Sequence, residues 1–169
     1  MSKTADEHRA KAPNSLACAV VTVSDSRTLQ TDTGGSLVIE LLEAAGHRVA
    51  GREIITDDAD QIQQAILKFA QRAGVDVVLL TGGTGLSHRD HTYETVSGLL
   101  TKSMPGYGEI FRMLSYSEVG AAAMLSRAVG GLIGRTVVVT MPGSPAGVRL
   151  AMEKLILPEL GHLVSQARQ

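Results

Sequence analysis

The chain has 169 residues, 16 Lys and Arg against 17 Asp and Glu, and a formal charge of −1. That length suits one domain, and surface scaling lets about two-thirds of the extended chain's surface be buried with no disulfide or metal staple. Hydrophobic residues at 44% and charged residues at 20% argue against disorder. The missing basic excess, with only three Tyr, two Phe and no Trp, argues against a nucleic-acid partner.

The single cysteine, Cys18, can form no internal disulfide, which favours a cytoplasmic setting and a buried, inert thiol. Residues 1–14 mix Lys, Asp, Glu, His and Arg with no apolar core. They are expected to be a flexible lead-in to a single domain over residues 15–169. No run approaches the roughly 20 apolar residues of a membrane span, so no membrane contact is expected.

In chain order, the valine-rich run 16–23 is short, apolar and closed by Ser24-Asp25-Ser26, as a buried strand is. Leu37, Val38, Leu41, Leu42 and Ala45 then recur at helical spacing, and Gly46 suits a C-cap. Residues 48–55 form a more mixed strand, nearer an edge. Asp57 or Asp58 can cap a helix that buries Ile62, Ala65, Ile66 and Phe69. Residues 75–80 are a third buried strand, followed by Thr81-Gly82-Gly83-Thr84-Gly85. The stretch 92–127 predicts several helices, broken at Pro105, with an inward stripe of Ile110, Met113 and Leu114. Residues 129–133 add a short strand and 136–141 the last clear one. A terminal helix follows from Ser144, kinked or restarted at Pro158.

Strands this apolar must be covered on both faces, so their alternation with helices predicts an α/β domain, a mainly parallel sheet between helical layers. The loops after the strands then share one edge, where such sheets bind ligands. Four segments meet there: Ser24-Asp25-Ser26-Arg27, Asp57-Asp58, the glycine loop, and Pro142-Gly143-Ser144-Pro145.

Gly82-Gly83-Thr84-Gly85 offers unobstructed amides to a phosphate, or is simply a tight turn. It lacks the spacing of a P-loop or a dinucleotide fingerprint. Arg89 and Asp90 beyond it are either a phosphate contact and a magnesium ligand or an exposed ion pair. Asp57 and Asp58 divide between magnesium and helix capping. His88 and His91 lack a third metal ligand and are expected to be solvated. His47 and His162, each beside a glycine, suit helix ends. Ala121-Ala122-Ala123-Met124 suits core or subunit contact.

Several motifs resemble, in order, the MoaB/MogA family of molybdenum cofactor biosynthesis proteins. They are Thr81-Gly82-Gly83-Thr84-Gly85, Arg89-Asp90, Thr92, Glu94, Pro105-Gly106-Tyr107-Gly108-Glu109, Phe111-Arg112, Ser126-Arg127-Ala128 and Met141-Pro142-Gly143-Ser144-Pro145. The resemblance spans residue 16 to the C-terminus. It implies a three-layer αβα sandwich that binds molybdopterin, a pterin dithiolene phosphate, and in one branch transfers AMP from Mg-ATP to its terminal phosphate. It further implies catalytic, Mg²⁺-holding roles for Asp57, within Thr56-Asp57-Asp58, and for Asp90. Ser24, Gly82, Gly83, Thr84, Gly85, Arg89, Pro142, Gly143 and Ser144 fall on the substrate and phosphate side of the same site. Homotrimers or hexamers, and exchange with other cofactor-assembly proteins, are also implied. Departures fall at His88, His91, Tyr107, Thr56 and Asp58 and delete no proposed catalytic group. A pterin carrier without turnover is the alternative. A nucleotide-dependent oxidoreductase is disfavoured, because residues 24–30 contain no glycine.

Overall fold

The structure, a computed structural model, describes Pro13 and residues 15–169. The lead-in expected over residues 1–14 therefore lies outside the described residues, apart from Pro13.

Strand β1 (Ala17–Val23) is buried along its whole length. It is sandwiched edge to edge between two parallel partners, β2 (Arg48–Ile55) and β3 (Val77–Thr81), with Val20 opposite Arg52 on one side and Leu79 on the other. Strand β6 (Thr136–Met141) continues the parallel set, pairing Leu79 with Val139. Beyond it β5 (Gly130–Ile133) and the two-residue β4 (Lys102–Ser103) run antiparallel to their neighbours, giving the order β2-β1-β3-β6-β5-β4. The mixed strand 48–55 is indeed at an edge.

Alternation along β1 feeds two cores. Cys18 and Val20 join Leu79, Val139 and Met141 under helices α1 (Thr33–Ala44), α4 (Pro105–Val119), α5 (Pro145–Ala151) and α6 (Leu157–Ala167). Ala19, Val21 and Val23 join Val78, Leu80 and Val138 under α2 (Ala59–Ala70) and α3 (Thr92–Leu99). The result is the expected three-layer sandwich. Because α1 follows β1 on one face and α3 follows β3 on the other, the connections part between these two adjacent strands and leave a crevice beyond their C-terminal ends.

The inward stripe expected in α4 is corrected at two of its three residues, while Leu114 does pack against the core. Ile110 is 46% and Met113 62% exposed, while Tyr107, Gly108, Phe111 and Ser115 face the core. The helix is apolar on several sides, so spacing alone could not choose its inner face; Gly108 and Ser115, neither of them a hydrophobic signal, lie on it. Tyr107 is anchored by its hydroxyl, which donates to the Thr140 carbonyl at 2.8 Å. His162 is also corrected: it lies within α6, not at a helix end, beside Glu159. The run 121–124 is only partly core, since Ala123 is buried but Met124 is 75% exposed. Pro158 does restart the last helix. Its ring excludes the normal carbonyl four residues back, and the preceding turn, Met152–Ile156, widens so that the Leu157 amide bonds the Met152 carbonyl.

Cys18 is fully buried, and burial, reinforced by the Asp76 charge, pushes its thiol up to about 12. It is inert, as expected.

Candidate functional site

The four loops do converge. After β1 the Ser24 amide bonds the Ile55 carbonyl at 2.8 Å, and after β3 the Gly82 amide bonds the Met141 carbonyl at 3.0 Å. Gly82 has φ +104 and presses on the Val23 carbonyl so closely that any β-carbon would collide with it. A β-carbon on Gly143 would stand 3.5 Å from the Gly82 Cα, and Thr81 Oγ1 donates to the Pro142 carbonyl at 3.0 Å. Chain segments from β1, β3 and β6 are thus in mutual contact at one rim.

One half of that rim is acidic. Asp57 Oδ1 accepts the His91 amide at 2.8 Å, while the Asp57 amide donates to Asp25 Oδ1 at 3.1 Å. Asp57 Oδ2 carries no hydrogen bond among the described residues and points at Gly83, where a β-carbon would lie 2.6 Å away. Gly83, at φ +64, therefore brings its backbone directly against the carboxylate. Asp90 closes the loop from the other side: its Oδ2 accepts the Ser87 amide at 2.8 Å and would lie 2.7 Å from a β-carbon on Gly85. Partial burial raises the Asp57 pKa above its ordinary value, opposed by the His91 amide and reinforced by the charges of Asp90 and Asp25. A carboxylate so placed is relieved by a cation.

The other half is a cavity of about 470 Å³ beside α1 and α5, lined by Ser24, Arg27, Gly34, Thr81, Gly143 and Ser144 among others. Ser24 Oγ is held there by the Ser26 and Arg27 amides, each at 3.3 Å, and Ser144 caps α5 by accepting the Gly147 amide at 3.2 Å. The first turns of two helices, both N-capped by side chains, open toward this space.

The open alternatives resolve residue by residue. Asp58, not Asp57, caps α2, accepting the Gln61 amide at 3.0 Å, which leaves Asp57 for the rim. Arg89 does pair with a carboxylate, but with Asp25 across the crevice and not with Asp90. His88 and His91 are exposed.

Three residues with no assigned role complete the site. Arg127 ties the loop from behind: Nε to the Gly85 carbonyl at 2.7 Å, a second guanidinium nitrogen to the Asp90 carbonyl at 3.1 Å, and an ion pair to Glu94. Thr92 is fully buried, and its hydroxyl, with no hydrogen-bond partner among the described residues, meets Gly83 beside Asp57. Asp32, 3% exposed on the cavity wall, caps α1 through the Gly35 amide at 2.8 Å, accepts from Thr22 Oγ1 at 2.7 Å, and pairs with Arg52 at 2.9 Å. Its signal was Thr-Asp-Thr ahead of Gly34-Gly35, the pattern of an N-cap; its partner on β2 left no local trace.

Donor chemistry fits magnesium. Two carboxylates with free oxygens stand beside backbone amides and an unpartnered hydroxyl, an all-oxygen set that substrate phosphates would complete. No group of three His, Cys, Asp or Glu suited to hold a metal occurs among the described residues.

The fold and rim together define an α/β protein with a crevice beyond the C-terminal ends of its parallel strands. Residues 19–162 match the family described as probable molybdopterin binding domain. The chain belongs to this MoaB/MogA family of molybdenum cofactor biosynthesis proteins. It is 57% identical over 158 residues to molybdenum cofactor biosynthesis protein B of Bacillus cereus, covering 93% of this chain and 94% of that one. A crystal structure of a molybdenum cofactor biosynthesis protein B superposes with a TM-score of 0.91 at 56% identity, covering 94% of this chain and all of that one. The tungsten cofactor synthesizing protein MoaB of Pyrococcus furiosus does so at 0.84 and 37% identity, covering 94% and 100%. Among the described residues no helix is long and apolar enough to cross a membrane.

Proposed function

We propose that the chain binds molybdopterin in the crevice and transfers AMP to its terminal phosphate from ATP and Mg²⁺. The observation that carries this reading is the pair of carboxylates, Asp57 and Asp90, brought from different segments to flank one glycine loop. In the reaction an oxygen of the pterin phosphate attacks the α-phosphorus of ATP, a P–O bond forms, and pyrophosphate leaves with the electrons of the broken bond. Two anions must approach each other, so alignment and charge neutralisation dominate the barrier.

This chain's residues supply both. The glycine-loop amides and Ser144 hold phosphate oxygens, Ser24 and the cavity beside α1 seat the pterin phosphate, and Arg127 keeps the loop rigid from behind. Arg89 exchanges Asp25 for a phosphate when the crevice fills. Asp57 Oδ2 and Asp90 would hold Mg²⁺, which supplies Lewis-acid polarisation of the phosphoryl group. The apolar outer face of α4 (Ile110, Met113, Tyr116) and Met124 is the contact through which copies assemble as a homotrimer or hexamer. The setting is cytoplasmic, where Cys18 stays reduced, and other cofactor-assembly proteins deliver and receive the pterin.

The test is incubation with molybdopterin, ATP and Mg²⁺ and mass detection of adenylylated pterin. Asp90→Asn keeps an acceptor for the Ser87 amide, so pterin binding persists while AMP transfer falls on the order of 100-fold or more. Wild-type turnover in that variant refutes the assignment. The Arg89–Asp25 ion pair favours a second reading, a pterin carrier whose cation is already committed. That reading requires no heat of ATP–Mg²⁺ binding in calorimetry, and any such binding removes it.

A further inference from the structure

A second cavity, about 320 Å³, opens between α3, the start of α4 and the segment entering β5. It shares no lining residue with the 470 Å³ crevice cavity. Its wall holds Arg112, half-buried, with no carboxylate in ion-pair distance among the described residues. The guanidinium has one long hydrogen bond, to the Ser126 carbonyl at 3.4 Å. It lies folded back on its own helix, where a β-carbon at Gly108 would sit 3.0 Å from one of its nitrogens. A charge withdrawn from water without a counter-ion is costly, so its persistence at a cavity wall marks a place for an anion.

Two independent features agree. Ser97 lines the same cavity, and its hydroxyl is buried with no hydrogen-bond partner among the described residues. Helix α4, 15 residues long, begins beside this cavity, where Met104 and Pro105 line the wall, and carries no side-chain cap. Tyr93 adds an aromatic wall, its ring overlain by Arg127 at 5.2 Å. Glu109 stands at the mouth, exposed, one turn from Arg112 yet not paired with it.

We infer that this cavity is a second anion site, built for a phosphate monoester bound by the Arg112 fork, the Ser97 hydroxyl and the start of α4. A planar group on the ester would lie along Tyr93. The site is separate from the crevice and does not depend on AMP transfer. Isothermal titration of the full chain with inorganic phosphate and, separately, with AMP tests it at constant ionic strength. The wild type is expected to show a phosphate class that falls at least tenfold in Arg112→Gln, partly recovers in Arg112→Lys, and falls several-fold in Ser97→Ala. Arg89→Gln is expected to leave that class unchanged, and Glu109→Gln to tighten it. AMP binding more tightly than phosphate assigns the ester as ligand; equal affinity assigns inorganic phosphate. Ser97→Ala, a small change, reports on the site even where Arg112→Gln lowers folding. Phosphate isotherms of wild-type affinity in folded Arg112→Gln and in Ser97→Ala overturn the proposal, whatever the AMP-transfer assay shows.

Discussion

Gly83→Ala is the perturbation that couples the rim's backbone to its chemistry most directly. At φ +64 an alanine is strained by about 1–2 kcal/mol. Its methyl would also collide with the buried Thr92 hydroxyl and come within 2.6 Å of Asp57 Oδ2. Thr92 is enclosed and cannot swing away, so the overlap adds roughly 1–3 kcal/mol of overpacking. The sum, about 2–5 kcal/mol, corresponds to a fall in Tm of roughly 5–15 °C for a chain of this size. Asp57 is the softer neighbour and yields first, which moves its free oxygen off the loop and is expected to abolish the proposed AMP transfer. Gly98→Ala is the matched control. Gly98 lies near the end of α3 with nothing within 4 Å of its would-be β-carbon, so alanine there gains about 0.5 kcal/mol of helix propensity. Thermal unfolding by circular dichroism and the mass assay are run on both variants. A Gly83→Ala protein that melts and turns over like the wild type refutes the geometry assigned to Asp57.

Asp32→Asn keeps an acceptor for the Gly35 amide but loses the charge facing Arg52, at a cost of about 2 kcal/mol near neutrality. Burial works to raise the Asp32 pKa, but the Arg52, Gly35 and Thr22 hydrogen bonds outweigh it and hold the carboxyl below its usual 3.8. Its contribution is therefore complete above that value and lost as pH falls through the lowered native one. Denaturation curves of the two proteins should converge only in that acid range, and a gap independent of pH excludes the ion pair as its source. Met113→Glu with Tyr116→Glu charges the exposed face of α4, and if copies assemble there as proposed, light scattering should find the oligomer of the unaltered chain reduced to monomer, with the melting of the isolated chain retained. An unchanged mass moves the contact to another surface.

Much of the sheet was legible because its central strands are short, continuously apolar and closed by polar or glycine-rich turns. The same property hid their order: residues buried on both faces say nothing of which neighbour stands beside them. Only β2, with Arg48 and Glu53 among its apolar residues, carried a sign of its edge position. Strand β4 is two exposed residues and has no pattern to read. In α4 the apolar residues nearly encircle the helix, so Ile110 and Met113 were placed inward when the inner face is Tyr107, Gly108, Phe111 and Ser115.

The rim followed a different logic. Asp57, the glycine loop with Asp90 at its far end, and Ser144 were visible because each lies in a segment that follows a strand, and parallel strands carry their following loops to one edge. What could not be read is every role that depends on a partner distant in the chain: Asp32 answered by Arg52, Arg89 by Asp25, the loop carbonyls by Arg127. Those partners decide which charges are already neutralised. Among the described residues Arg89 is matched within the protein, whereas Asp57 has an oxygen left free and Arg112 lacks a counter-ion. Unmatched charge of each sign, at the rim and at a separate cavity, is what the proposed handling of a cation and more than one phosphate requires, and it emerges only when the pairing of every neighbouring group is known.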